Sequence, residues 1–159
     1  MHTGMLLQMK RVNDIFYSLQ GEGRNTGRAA IFIRFAGCNL KCPFCDTDFS
    51  QYEEMSDEDI LNRIKSYPSR FVVLTGGEPS LQVDRLLVDL LHSHGYELAK
   101  ETTQVPDDHG ICAEYKYLQP CDVQDAERNA QIVKRCFDYI LQHPEWRMSL
   151  QTHKLVGFK

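Results

Sequence analysis

The sequence has no excess of basic charge: 18 lysines and arginines stand against 22 acidic residues, for a formal net charge of -4. Without a basic stripe there is no electrostatic footprint for a phosphate backbone or an anionic membrane, so no direct nucleic-acid contact is expected. Long hydrophobic runs are missing as well. The stretch from Met1 to Lys10 holds no basic segment ahead of a sustained apolar run, which predicts neither a secretion signal nor a membrane span and points to a cytoplasmic protein. Repeats and low-complexity tracts are absent. What is present, 42% hydrophobic and 25% charged residues over 159 positions, suits a globular chain that buries roughly two thirds of its unfolded surface. Residues 1–8 form an unpatterned leader, and residues 9–159 are expected to fold as a single domain.

The order of elements predicts an α/β fold. Val12 to Ser18 centres on the β-forming Ile15-Phe16-Tyr17 and runs into Leu19-Gln20-Gly21-Glu22-Gly23, a glycine turn or, equally, a loop whose backbone comes close to a ligand. Ala29 to Gly37 is too short and too β-rich for a helix and reads as a buried strand. Arg34 interrupts it, and a charge in a buried run is nearly always paired, here with an anionic ligand or a structural carboxylate. Ser56 reads as the cap of a helix with acids in its first turn and Met55 stapled onto Ile60. Phe71 to Thr75 reads as a second buried strand that ends in Gly76-Gly77-Glu78-Pro79. A helix follows, with Val83, Leu86, Leu87, Leu90 and Leu91 on one face, and then a strand from Tyr96 to Glu101. Alternation of this kind means a parallel sheet. Gly76-Gly77 fits a tight turn, amides at a strand's carboxyl end where α/β folds bind ligands, or both. Further on, one strand fits between Ile111 and Pro120. A helix over Val123–Gln142 should bury Ala126, Ala130, Val133, Phe137, Ile140 and Leu141, and an alternating strand should run from Arg147 to Lys154.

Six cysteines in a reducing compartment are expected to be free, metal-bound or catalytic rather than paired. Three of them, Cys38, Cys42 and Cys45, fall within eight residues. Thiolates are soft ligands that select zinc or iron-sulfur clusters. A structural zinc site takes four protein ligands, yet the nearest histidines in sequence are His2 and His92 and no second Cys-x2-Cys occurs. Cys112, Cys121 or Cys136 would have to complete it; otherwise these three read as small packing residues. Three thiolates on one loop also suit a cubane that leaves one iron without a protein ligand.

The three-cysteine spacing with Cys45-Asp46-Thr47, together with Leu19-Gln20-Gly21-Glu22-Gly23, Arg34, Gly76-Gly77-Glu78-Pro79, Glu101-Thr102, Leu118-Gln119-Pro120 and the block Trp146 to Lys154, closely resembles the 7-carboxy-7-deazaguanine synthases of the radical S-adenosylmethionine (SAM) superfamily. The resemblance covers Met9 onward, which makes Met9 a candidate start. It implies a compact partial (β/α) barrel of the radical SAM type and usually a homodimer. The implied substrate is the small molecule 6-carboxy-5,6,7,8-tetrahydropterin, on the route to queuosine, with an electron donor such as a flavodoxin. Cys38, Cys42 and Cys45 would hold a [4Fe-4S] cluster whose open iron binds SAM. Reductive cleavage of SAM would then lead to hydrogen abstraction, ring contraction and loss of ammonia. By the same matching, Thr47 would ligate Mg2+. Phe44, Cys45, Asp46, Gly76, Gly77, Glu78, Gln119, Pro120, Cys121 and Asp122 would contact SAM. Leu19, Gln20, Gly21, Arg34, Thr102, His153 and the terminal Lys159 would contact the pterin.

One region departs from the pattern. Where the family carries a glycine soon after the threonine, this chain has Gln104, and the dozen or so residues from Val105 to Tyr117 leave no room for two strands and their connections. The barrel is therefore expected to lack about two strands, which would expose sheet edges and apolar helix faces. That leaves a non-catalytic or impaired cluster-binding homologue as the alternative to an active lyase. A glycyl-radical activating enzyme shares the cysteine spacing but not the Gln-Thr-His-Lys ending.

Overall fold

The structure, a computed structural model, describes residues 9–40, 48, 50–100 and 116–157. Of the expected site residues, Cys42, Phe44, Cys45, Asp46, Thr47, Thr102 and Lys159 lie outside the described residues. The described chain divides into two compact units, the first taking in residues 9–18, 29–40, 48 and 50–100, the second residues 19–28 and 116–157.

The first unit is a five-stranded sheet in the order β3-β1-β2-β4-β5, formed by β1 (Lys10–Leu19), β2 (Ala29–Phe35), β3 (Glu53–Met55), β4 (Phe71–Gly76) and β5 (Glu97–Lys100). β2, β4 and β5 pair in parallel, as the alternation of elements predicts, while β3 runs antiparallel to β1. β3 has no counterpart in the sequence reading: three residues, two of them glutamates, carry too little pattern to announce a strand. Alternation along β2 and β4 places Ile31, Ile33, Phe35, Val72 and Leu74 in one buried cluster with Ile60, Leu61, Ile64, Leu87 and Leu91. Ala30, Phe32, Phe71 and Val73 form a smaller cluster, where Phe16 stacks on Phe32 at 4.9 Å. A strand buried on both faces is apolar at successive positions, which is why Ala29 to Ile33 of β2 and Phe71 to Leu74 of β4 read as hydrophobic runs.

Helix α1 (Asp57–Ile64) begins as expected. Ser56 accepts from the Asp59 N–H at 3.2 Å, and the Asp59 carboxylate accepts from the Ser56 N–H at 3.0 Å, a reciprocal cap that contributes about 1 kcal/mol. Met55 and Ile60 both enter the core. Helix α2 (Arg85–Ser93) buries Leu87 and Leu91, but Leu86 is exposed. Position 86 lies a full 100° around the helix from 87, beyond the edge of the buried stripe.

Lys10 is 1% exposed. Its ammonium lies 2.6 Å from Asp57 and 3.1 Å from Asp84, respectively the first residue of α1 and the N-cap of α2. Both carboxylates offset the positive ends of those helices as well as the lysine, so one buried cation ties two helix starts to the first residue of β1.

The second unit contains β6 (Lys116–Leu118) and β7 (Trp146–Met148), paired in parallel, with α3 (Ala126–Gln142) and α4 (Thr152–Val156). Two expectations are corrected here. The strand expected over Arg147–Lys154 stops at Met148, and Thr152–Val156 is helical, because the Thr152 N–H and hydroxyl turn back to bond elsewhere, as described below. The face of α3 expected to be buried is exposed at Ala126, Ala130, Val133, Phe137 and Leu141; Ile140 alone of the six is half-buried. The rotation of the helix has a polar and aromatic cause. Asn129 accepts from the Val123 N–H and donates to Asp122, both at 2.9 Å, while Tyr139 stacks on His143 at 4.2 Å and meets Trp146 edge-on. These contacts turn Ile132, Cys136 and Ile140 inward instead. Among the described residues no helix is long and apolar enough to cross a membrane.

Two outcomes follow from this architecture. Burial by itself raises the Asp84 carboxyl, but the Leu87 N–H and the Lys10 ammonium outweigh it and hold it below its ordinary value. Its contribution is fully present above the unfolded aspartate pKa, about 3.9, and is lost as pH falls through the lower folded value. Urea unfolding of wild type and Asp84→Asn should therefore show a stability gap at neutral pH that closes in acid; a gap constant with pH would refute the role of this charge. Gly76→Ala, at φ +110° with the added Cβ driven into the Phe35 backbone, should lose more than about 1 kcal/mol of stability in the same measurement.

Candidate functional site

In the first unit, the candidate site is set by strand register. β2 and β4 pair with Arg34 opposite Thr75 and Phe35 opposite Gly76, so their carboxyl ends coincide and the two segments leaving them emerge side by side. This is where parallel α/β sheets bind ligands. One segment leads through Gly37 to Cys38, the other is Gly76-Gly77-Glu78. They are stitched together by backbone: the Gly77 N–H donates to the Phe35 carbonyl at 2.9 Å and the Glu78 N–H to the Gly37 carbonyl at 3.0 Å. Glycine is required at 76 because the approach leaves no room for a Cβ and the backbone is in the positive-φ region. Glu78 is fully buried and its carboxylate accepts from the Ser80 N–H at 2.9 Å, capping the short 3-10 turn Pro79–Leu81.

The sulfur of Cys38 is half-buried and accepts from the Leu40 N–H at 3.4 Å. An amide aimed at a soft, half-buried sulfur fits a thiolate bound to iron, since hydrogen bonds to the sulfurs are one of the ways a protein tunes such a cluster. Arg34 is half-buried, with its guanidinium 5.3 Å over the Phe16 ring, a cation–π contact that holds the side chain in place.

In the second unit a similar arrangement recurs on a smaller scale. The ends of the parallel pair β6 and β7 release Gln119 to Asp122 and Ser149 to His153 next to each other, with the Ser149 N–H donating to the Leu118 carbonyl at 2.8 Å. The second of these segments holds the Leu19 to Gly23 loop. Thr152 donates twice to the Gly21 carbonyl, from its N–H at 3.0 Å and its hydroxyl at 2.6 Å. The Gln151 amide donates to Glu22 at 3.1 Å, and the His153 ring lies directly against Gly21. The loop is closed at its base by the Gln20 N–H on Arg28 and the Gly27 N–H on Gln20, and the Gln20 side chain is buried. Leu19 is exposed.

Asp122 accepts from the Gln124 N–H and from Asn129, which hold its carboxyl below the usual aspartate range. The Lys154 ammonium lies 3.9 Å away. Gln119 is exposed, and Pro120 and Cys121 are half-buried. The structure thus brings Gln20, Gly21 and His153 together, and Gln119 to Asp122 with one another. Ser149 is a site residue that the sequence pattern does not single out. Its buried hydroxyl accepts from the Gly23 N–H at 2.8 Å and donates to Gln119 at 3.2 Å, so it joins the glycine loop to the segment after β6. The clue, a serine amid larger side chains at the end of a strand, is too common to stand out.

The chain is similar to known proteins. The profile of the Radical SAM superfamily matches residues 32–137. The 7-carboxy-7-deazaguanine synthase of Bacteroides thetaiotaomicron is 38% identical, over 95% of this chain and 100% of its own length. That of Bradyrhizobium diazoefficiens is 35% identical, over 93% and 98%. The crystal structure of QueE from Escherichia coli superposes with a TM-score of 0.71 at 24% identity, covering 96% of this chain, and shows the same fold. The Bacteroides alignment runs over 188 positions against a chain of 159, so at least 29 positions of that relative have no counterpart here, as expected of a shortened barrel. With the superfamily matched across most of the chain and these relatives matched over nearly their whole length, the chain belongs to the 7-carboxy-7-deazaguanine synthase family of radical SAM enzymes.

Proposed function

We propose that this protein is a radical SAM lyase that converts 6-carboxy-5,6,7,8-tetrahydropterin to 7-carboxy-7-deazaguanine with loss of ammonia. The observation that carries the proposal is the Gly21–His153 contact and its bracing by Thr152 and Gln151, because it joins two of the segments that the resemblance assigns to the pterin, in a chain of this family. When bound, the [4Fe-4S] cluster and SAM that the family implies supply the radical that opens the reaction. The chain's own residues bind, orient and shield.

Cys38, Cys42 and Cys45 hold the cluster, and the amides of Gly76 to Glu78 with Gln119 to Asp122 bind SAM, together with Phe44 and Asp46. Leu19, Gln20, Gly21, Arg34, Thr102, His153 and Lys159 bind the pterin. Thr47 would ligate Mg2+, a hard cation that takes oxygen ligands. His153 can present its imidazole close to a ligand because Gly21 has no side chain to fill the space. The protein acts in the cytoplasm as a single domain over residues 9–159, takes its electron from a donor such as a flavodoxin, and works as a homodimer. The exposed row Val133, Phe137 and Leu141 along α3 is the surface a second copy would cover.

The test is anaerobic. Protein with a reconstituted cluster, given reductant, SAM, Mg2+ and the carboxytetrahydropterin, should yield 7-carboxy-7-deazaguanine by mass spectrometry, and Cys42→Ala should abolish it. A cluster spectrum without product or 5'-deoxyadenosine would sink the proposal in favour of a cluster-binding homologue. Gly21→Ala would put a Cβ into the His153 ring. It should raise KM for the pterin by about tenfold or more, a displacement effect, while SAM binding stays as in wild type; an unchanged KM would remove His153 from the substrate site.

A further inference from the structure

Gln82 lies outside every motif discussed so far, yet it makes two bonds to the frame of the cysteine loop. Its side-chain oxygen accepts from the Arg11 N–H at 2.7 Å, and its side-chain nitrogen donates to the Ala36 carbonyl. Ala36 is 1% exposed, and its own N–H donates to the Arg11 carbonyl at 2.8 Å. The amide of Gln82 is therefore wedged between β1 and the residues leaving β2, pairing a donor and an acceptor that the strands do not pair themselves. Ala36 is two residues before Cys38.

Gln82 also closes the turn that starts at Gly76, with its own N–H donating to the Pro79 carbonyl at 3.0 Å. The segment 76–82 thus grips the approach to Cys38 at three consecutive residues: Gly77 on Phe35, Gln82 on Ala36, and Glu78 on Gly37. Two of these grips are backbone and independent of sequence. The Gln82 grip is the one a side chain makes, and an apolar residue of the same size would leave the Arg11 N–H and the buried Ala36 carbonyl without these bonds.

We propose that Gln82 is a positioning residue for the cluster: its amide fixes the backbone that carries Cys38 in register with the Gly76, Gly77 and Glu78 amides. This rests on the proposed radical SAM function, in which Cys38 ligates the iron and those amides meet SAM. Gln82 does not touch either group. It sets the offset between them, so its loss changes how the cluster responds to SAM more than whether the cluster assembles.

The experiment uses the full chain with reconstituted cluster, as wild type, Gln82→Leu and Gln82→Glu. Glutamate keeps an oxygen for the Arg11 N–H but turns an acceptor on the Ala36 carbonyl. Each protein is reduced with dithionite and titrated with SAM while the electron paramagnetic resonance spectrum of the cluster is followed; iron loss to a chelator and Tm are measured alongside. Both variants should still assemble the cluster, with Tm lowered by a few degrees by the unpaired groups. They should need about tenfold or more SAM for the spectral change, and lose iron faster by a similar factor, the range seen when groups that orient metal ligands are removed. SAM titrations that coincide with wild type would overturn the proposal, as would a weakened response that merely tracks a larger fall in Tm in both variants. If Gln82→Leu fails to fold, Gln82→Glu alone decides in the same way. A wild type whose spectrum ignores SAM would instead overturn the radical SAM reading itself, with Gln82 not at issue.

Discussion

The in-register parallel pairing of β2 and β4 is the constraint on which the first unit depends. Because Phe35 faces Gly76, the cysteine-bearing segment and the Gly-Gly turn start from the same height on the sheet, and two backbone bonds lock them. A shift of one residue in this register would turn every inward side chain outward. The large core cluster, in which Ile31, Ile33, Phe35, Val72 and Leu74 lie together, therefore sets the position of the site: burial on the sheet fixes the register, and the register fixes the geometry above it. Gly76 is the point where the two demands meet, since any side chain there would separate the strands that the core holds together.

The second unit is organised by different forces. Among its described residues Gln20, Gly21 and Ser149 are buried, none of them with an apolar side chain, and α3 buries no residue. Its loops are held by hydroxyls and amides, Thr152 on Gly21, Ser149 between Gly23 and Gln119, Gln151 on Glu22. Segments with few buried apolar contacts open at lower free energy than a packed core. The Leu19 to Gly23 loop therefore belongs to the part of the chain that opens at lower free energy, while the cysteine-bearing approach belongs to the better packed part.

What could be read in the sequence divides along the same line. The strands β2 and β4 and the start of α1 were legible because each is fixed by local chemistry: an apolar run too short for a helix, and a serine three residues before an acid. The cysteine spacing named the superfamily for a similar reason, since ligand spacing is itself the chemistry. The face of α3 was not legible. An apolar stripe at Ala126, Val133 and Phe137 shows that a face lacks polar groups, not that anything covers it, and the helix's rotation goes with polar and aromatic contacts of Asn129 and Tyr139 to nearby residues that an apolar pattern does not register. The end of β7 was hidden likewise, because alternation continues through Thr152 while its backbone turns away to meet Gly21. Gln82 could not be seen at all: one glutamine between two apolar residues acquires meaning only when Ala36 and Arg11 are brought beside it.

The shorter length of this chain bears unequally on the two units. At least 29 positions of its Bacteroides relative are missing here, yet the first unit shows no deficit where it matters: both faces of β2 and β4 are covered, the helix starts are capped, and Lys10 has its two carboxylates. A core closed in this way holds Cys38 against the Gly-Gly turn. In the second unit a helix carries its apolar row outward, with Phe137 54% exposed. Exposed apolar surface of this kind favours association over unfolding only if the rest of the unit is tied down, and the hydrogen bonds from Ser149 and Thr152 to the glycine loop provide such ties. Cys38 thus rests on a closed apolar core, and the glycine loop is held by polar contacts that need little packing at all.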